Sequence, residues 1–418
     1  MSRRLVLSLV VVSMSASAEN VKTFLDAAEQ GNVDRRISIE QRNRAAAEYR
    51  QAWTSLFPSI SASAGWTHNQ YPAIFGNPAT GAEVVIIPKN QFEAAFRFDL
   101  PLIDVQRWFR MSVSGAAEAS AELRELVTRD AVRRQVVGSF YGYAASLAVM
   151  ESAKKSSAVA SEQLKLTEIR ASVGTVTELD LLRARAEVAR TKQVVADTVA
   201  LVATSRRTVR TLTGLEPPES LPLPVDDVTP SASLAEMEAR IEELPAVKAA
   251  DKDAQAAGTI ATASKLALVP SVSAQFTQRL TNATGFQGQA GTYNAGVNLT
   301  WRLDVPTFMG MQAQSANEQA ALLQGDRTRL QARDQINSDW QRLQAALIKI
   351  EAATAQVEAA RRATQVARDR YAAGAATQVD VIQAERDVFG AEVSQIQART
   401  ELATARASLR ISAALPLE

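Results

Sequence analysis

Polar and apolar residues alternate with a period of two in four short stretches of the chain. At about residues 58–68, Ile60, Ala62, Ala64 and Trp66 share one side, and Ser59, Ser61, Ser63 and Thr67 the other. At 91–101, Phe92, Ala94, Phe96, Phe98 and Leu100 alternate with Glu93, Arg97 and Asp99. At 270–278, Val272, Ala274 and Phe276 oppose Ser271, Ser273 and Gln275. At 293–303, Ala295, Val297, Leu299 and Trp301 oppose Asn294, Asn298, Thr300 and Arg302. The pattern predicts β-strands with one apolar and one polar face. Runs of about ten residues suit strands tilted across a membrane, lipid on one side and water on the other. They equally suit a half-buried soluble hairpin, and the strands alone leave both readings open.

Elsewhere the pattern is helical. Residues 33–56 and 234–268, rich in Ala, Glu, Arg and Gln, predict helix. Residues 105–173 and 309–373 contain no proline and predict two helices several times the usual length. At ~1.5 Å per residue each reaches roughly 100 Å. Second helices follow at 177–213 and 377–413. Heptad spacing appears at Trp340, Leu343, Leu347 and Ile350, and at Val379, Ile382, Phe389, Val393 and Ile396, where Arg386 interrupts it. Leu179, Leu182, Ala186 and Ala189 predict the matching seam earlier in the chain. Helices so thinly apolar predict a coiled-coil wall packed side by side.

The chain also repeats itself, which governs the whole architecture. Arg170, Gly174, Thr177 and Asp180 recur as Arg370, Gly374, Thr377 and Asp380. Pro58-Ser59-Ile60-Ser61-Ala62 recurs as Pro270-Ser271-Val272-Ser273-Ala274, and Leu102-Ile103-Asp104-Val105 is echoed weakly by Arg302-Leu303-Asp304-Val305. Three matches in one order predict a first structural repeat at 19–215, a Pro-rich linker at 216–233 and a second repeat at 234–418. The fold class expected is mostly α with a membrane β-barrel, a duplicated plan of long helical hairpins plus four strands per chain.

Residues 1–18 read as an export signal: Arg3 and Arg4, an apolar run from Leu5 to Val12, then Ala16-Ser17-Ala18 before Glu19. No apolar stretch reaches the ~20 residues of a spanning helix. An integral membrane form must therefore be a barrel, the other way to satisfy backbone groups in lipid. Four strands cannot close a barrel, and an open edge in lipid is forbidden. Two chains give eight strands, whose interior side chains fill; three give twelve, wide enough for a passage.

Chemistry narrows the function further. Among 418 residues there are 46 basic and 45 acidic side chains, a net charge of +1, which gives no reason to expect nucleic acid. Cysteine is absent and His68 is the one histidine, so most thiolate, zinc and general-base chemistry loses its usual side chains. No phosphate loop or nucleophile motif appears. No cofactor or metal is expected, and an enzyme is not. His68, at the end of a strand, reads as a polar rim residue.

The repeated motif has a local reading. Gly174 and Gly374 suit the left-handed residue that ends a helix. Thr177 and Thr377 suit the N-caps of the returning helices, with Asp180 and Asp380 three residues on, near the positive helix end. Around a threefold axis, three Asp380 carboxylates would form a ring favouring cations.

The string Arg370, Tyr371, Gly374, Thr377, Asp380, Val381, Ile382, its copy from Arg170, and the paired Pro-Ser strand openings resemble the TolC-like outer-membrane factors, the outer membrane efflux proteins. The resemblance covers nearly the whole chain beyond the export signal. It implies a homotrimer with a 12-strand barrel in outer-membrane lipid and an α-helical barrel in the periplasm. It also implies partners: a periplasmic adaptor (membrane fusion) protein and an inner-membrane transporter of a tripartite efflux or type I secretion system. At the periplasmic gate it implies that Asp380 joins a constriction, and that Asp180 and Tyr371 join hydrogen-bonded links that hold the mouth shut. The turns with Gly174, Thr177, Gly374 and Thr377 would dock the adaptor. Ala376 and Gln383 depart from the family's best-known member, which has an arginine and an acidic residue there, so a looser latch is expected. The alternative is a soluble periplasmic coiled-coil scaffold or adaptor.

Overall fold

The computed structural model of the chain describes residues 21–76, 81, 83–223 and 232–415. The expected export signal and linker residues 224–231 lie outside them. The chain divides into two compact units. One takes the chain through Ile39, Glu125–Val247 and from Arg329 onward; the other takes Glu40–Arg124 and Lys248–Thr328.

The second unit carries the strands. β1 (Ser59–His68), β4 (Asn90–Ile103), β5 (Ser271–Thr281) and β6 (Gly291–Thr300) form one antiparallel sheet in the order β1-β4-β5-β6. Register settles which side chains share a face. Ile60 lies opposite Phe98, Ala62 opposite Phe96 and Trp66 opposite Phe92. Phe98 lies opposite Phe276, which lies opposite Ala295, and Ala274 lies opposite Val297. The four apolar faces therefore fuse into one, with Gln278 beside Tyr293 as its polar exception. Ser61, Arg97, Thr277 and Asn294 run across the other face. There Arg279 reaches Glu93 at 2.8 Å, a diagonal pair across β4 and β5.

The structure adds what alternation did not reveal. The β1–β4 connection contains a two-stranded ribbon, β2 (Ala73–Gly76) and β3 (Glu83–Ile87). His68 does sit at the strand end, its Nδ1 2.8 Å from Asn90 Oδ1. β6 stops at Thr300, short of the expected residue 303, and the Trp301 indole N–H donates to the Leu268 carbonyl at 2.9 Å.

The helices are α1 (Val21–Gly31), α2 (Val33–Thr54), α3 (Val105–Ser172), α4 (Glu178–Thr213), α5 (Leu234–Glu238), α6 (Pro245–Lys265), α7 (Val305–Ala372) and α8 (Gln378–Ser412). α3 and α7 each run 68 residues. The single helix expected at 234–268 is broken instead. Leu244, before Pro245, is extended at ψ 135°, because a proline ring excludes the helical conformation from the residue preceding it. α7 begins four residues earlier than the pattern implied. Asp304 accepts the Thr307 N–H at 2.9 Å and its hydroxyl as well, which caps the helix ahead of Pro306.

Two cores hold the first unit, and they match at a spacing of 200 residues. One gathers Val132, Val136, Phe140, Tyr143 and Val209 around Phe24 of α1. The other gathers Ile336, Leu343 and Leu409, with Ala332 and Trp340, around Met237 and Ile241. Tyr143 and Leu343 are both fully buried. The Tyr143 hydroxyl donates to the Pro218 carbonyl at 2.8 Å, so the described start of the linker is fastened to the first core. Burial pushes the Tyr143 phenol above the ordinary tyrosine value.

The seam expected on α4 is displaced. Leu179 and Leu182 are exposed, and the buried stripe is Ala184, Val188, Thr191 and Thr198. The two stripes have the same spacing but differ by two residues, roughly 200° around a helix. Thr191 and Thr198 bury without orphaned hydroxyls because each donates to a carbonyl of the preceding turn. On α8, Val379 is likewise exposed, whereas Ile382 and Ile396 are buried.

Candidate functional site

The repeated motif folds into two near-identical helix turns, both in the first unit. Arg170 to Thr175 closes α3: Gly174 takes φ 76°, its N–H donates to the Ala171 carbonyl, and the Thr175 N–H reaches back to the Arg170 carbonyl at 3.0 Å. Arg370 to Ala375 closes α7 the same way, with Gly374 also at φ 76°. These bonds satisfy the last carbonyls of each helix, and only glycine enters that conformation without Cβ strain.

Two residues later each returning helix is capped reciprocally. Thr177 accepts the Asp180 N–H at 3.2 Å, and its own N–H donates to the Asp180 carboxylate at 3.2 Å. The Thr377 and Asp380 pair repeats this at 3.3 and 2.7 Å. In both, the threonine hydroxyl also points at the aspartate, at 2.7 and 2.8 Å. The Thr377 N–H, then its hydroxyl, with a smaller contribution from Arg370, hold the Asp380 carboxyl below the ordinary aspartate value. Asp380 is thus an exposed carboxylate that keeps its charge through neutral and mildly acidic pH. Replacing Thr377 by Ala is expected to cost about 1 kcal/mol at the start of α8. Hydrogen exchange over residues 378–382 should accelerate accordingly, and Thr377→Ser should restore protection.

The gate residues implied by sequence are placed as follows. Asp180 is taken up by its own cap and by Arg183 at 3.9 Å. The Tyr371 ring lies under the Arg170 guanidinium, 4.9 Å from its centre, which joins α3 to α7 by a cation–π contact. Gln383 donates to Asp387 at 2.9 Å within its own helix.

Sequence reasoning missed the residues that tie the two helical hairpins together. Gln378, buried at the first position of α8, donates to the Thr167 hydroxyl on α3 at 3.1 Å. Ser152 on α3 donates to Glu392 on α8 at 2.7 Å. Glu187, buried on α4, accepts from Arg190 of its own helix and from Arg386 of α8, each Nε at 3.0 Å from Oε2. Burial opposes the Glu187 charge, yet the hydrogen bonds from Arg190 and Arg386 overcome it and hold its carboxyl below the ordinary glutamate value. A lowered folded value means stabilisation present above the unfolded value and lost as pH falls through the lowered one. One signal was visible in advance: the break that Arg386 makes in an apolar heptad.

Among the described residues, no group of three or more His, Asp or Glu side chains could hold a metal ion, and no helix is long and apolar enough to cross a membrane. What the arrangement offers is two capped turns, an aspartate side chain on each, and polar ties between the hairpins behind them.

A profile described as outer membrane efflux protein matches residues 25–215 and 238–414. Among solved structures, the CmeC outer membrane channel of Campylobacter jejuni is 17% identical, with a TM-score of 0.82 over 94% of this chain and 85% of that one. VceC, an outer membrane protein of Vibrio cholerae, is 16% identical with a TM-score of 0.78, covering 95% and 97%. The open state of the MtrE outer membrane channel of Neisseria gonorrhoeae is 15% identical with a TM-score of 0.78, covering 94% and 89%. No curated protein matches the chain significantly.

Proposed function

The chain belongs to the outer membrane efflux protein family, and on that premise we propose that it works as a homotrimer whose three sheets close a single twelve-strand barrel. Its place is the outer membrane, extending into the periplasm, and its role is that of an exit duct in tripartite efflux. The family is one of conduits, not of enzymes.

The observation that carries the trimer is the sheet. Its apolar face is bare, with Ile60 79% and Val297 67% exposed. In the order β1-β4-β5-β6 every neighbour is antiparallel, so the edge strands β1 and β6 run in opposite directions. The β6 edge of one copy can therefore meet the β1 edge of the next without breaking the antiparallel pattern, and repetition closes a ring. Closure satisfies both open edges, which lipid requires. Eight strands from two copies would be filled by side chains; twelve leave a passage lined by Ser61, Thr277 and Asn294. A soluble scaffold would leave the apolar face in water.

In this reading the two turns form the periplasmic mouth. Asp380 supplies a ring of three carboxylates, Asp180 and Tyr371 belong to the closed state, and the surfaces at Gly174, Thr177, Gly374 and Thr377 receive the periplasmic adaptor that joins an inner-membrane transporter. Reconstituted in planar bilayers, the detergent-extracted protein should conduct and be blocked by divalent cations. Asp380→Ala should weaken that block several-fold. Unchanged block would remove Asp380 from the mouth, and a water-soluble monomer would remove the trimer.

A further inference from the structure

All four strands of the large sheet meet the helices at one end. There α2 stops at Thr54 before β1, β4 stops at Ile103 before α3, α6 stops at Lys265 before β5, and β6 stops at Thr300 before α7. Three of the chain's five tryptophans, Trp53, Trp108 and Trp301, gather at this junction, and all three are exposed. The Trp53 ring meets Phe57 edge-on, centres 4.7 Å apart, and the Leu268 carbonyl holds the Trp301 indole. The Gln106 amide donates to the Ala263 carbonyl at 2.8 Å, and the Arg107 guanidinium donates to the Ser55 carbonyl. The ends of α2 and α6 are thus tied to the start of α3 as one collar. Exposed tryptophan, apolar in body and polar at its N–H, suits a boundary between lipid and water.

The same collar is basic. It carries Arg50, Arg107, Arg110, Lys265 and Arg302 against two acids, Asp104 and Asp304. Asp104 is taken by Arg107 at 2.8 Å, and Asp304 caps α7. Arg50, Arg110 and Lys265 are exposed and make no ion pair among the described residues. Arg50 stands one turn before Trp53, on the same side of α2. The opposite end of the sheet is different. Its two connections, β1 to β4 and β5 to β6, hold one acid and one base, Glu83 and Lys89. The excess positive charge therefore sits at one boundary of the sheet only, where the aromatic collar is.

We propose that this collar is a binding surface for anionic phospholipid: Arg50, Arg110 and Lys265 attract the phosphate headgroups, while Trp53, Trp108 and Trp301 lie at headgroup level. The inference rests on the exit-duct reading above, in which the helices leave the sheet toward the periplasm and the collar meets the inner leaflet. Continuity with the apolar sheet face favours a lipid over a free anion. Each basic side chain at an anionic lipid surface strengthens attachment roughly fivefold, an effect confined to a Debye length of ~8 Å.

The test reconstitutes the full-length protein in phosphatidylcholine bilayers, with Trp66→Phe to silence the tryptophan at the far end. Trp340, packed against the second core, gives a constant background. Brominated phosphatidylglycerol or brominated phosphatidylcholine is added at equal fraction, and quenching of tryptophan fluorescence is read. Phosphatidylglycerol should quench with about fivefold higher apparent affinity at low salt, a preference that high salt removes. Arg50→Gln, Arg110→Gln and Lys265→Gln together should abolish the preference while phosphatidylcholine still quenches; Lys89→Gln, at the far end, should keep it. Equal quenching by the two lipids before the triple replacement, or a preference that survives it, overturns the site. Loss of the preference to inorganic phosphate at constant ionic strength overturns it too, since a free anion would then be the ligand. If neither lipid quenches, the protein is not in the bilayer and the exit-duct reading fails instead.

Discussion

Phe96→Arg is expected to abolish efficient barrel assembly in the outer membrane. Phe96 lies midway along β4, opposite Ala62 on one side and Gln278 on the other, within the fused apolar face. Its side chain is half exposed in the single chain, and in the proposed barrel lipid would cover it. Arginine at the middle of a membrane strand costs about 2–4 kcal/mol, and in the proposed trimer three subunits would each carry the cost. Asn294→Lys, on the opposite face of β6, should assemble normally and change only the ionic preference of the passage. Recovery of heat-modifiable trimer from outer membranes checks both. Equal recovery for the two variants would show that the faces are wrongly assigned.

Leu343→Ala is expected to destabilise the first unit by about 2–5 kcal/mol, from lost transfer free energy plus the cavity left behind. Leu343 is fully buried among Ile336, Leu402, Leu409 and Met237. The loss exceeds the ~1 kcal/mol of a removed cap, because it opens a hole that neighbouring long helices cannot collapse to fill. Leu343→Met, which nearly conserves volume, should cost less than about 1.5 kcal/mol. Urea unfolding monitored by helical circular dichroism reads both values. Similar midpoints for Ala and Met would mean the second core carries little of the unit's stability.

The strands were legible because alternation is local: each ribbon shows its two faces without reference to its neighbours. The turns were legible for the same reason, since a left-handed glycine followed by a capping threonine and an aspartate three residues later is decided within ten residues. The small β2–β3 ribbon was not, because Ala73 to Gly76 is too short to display a period. The α4 seam was misplaced because two stripes of equal spacing lie on that helix, one around Leu182 and one around Val188. Spacing alone cannot choose between them; the partner helix does, and it takes the side where small residues and self-satisfied threonines allow close approach.

By itself, then, the sequence determined the periodicities, the caps and the repetition of one plan along the chain. These follow from forces acting over a few residues, or from comparing one stretch of the sequence with another. Only the tertiary structure decided register and partnership: which apolar faces fuse across β1, β4, β5 and β6, and which stripe of α4 is buried. It also placed Glu187 against Arg386, 199 residues away. Such choices depend on close packing and on desolvated charges finding each other at hydrogen-bond distance, and those are properties of the folded arrangement, absent from any short stretch of chain.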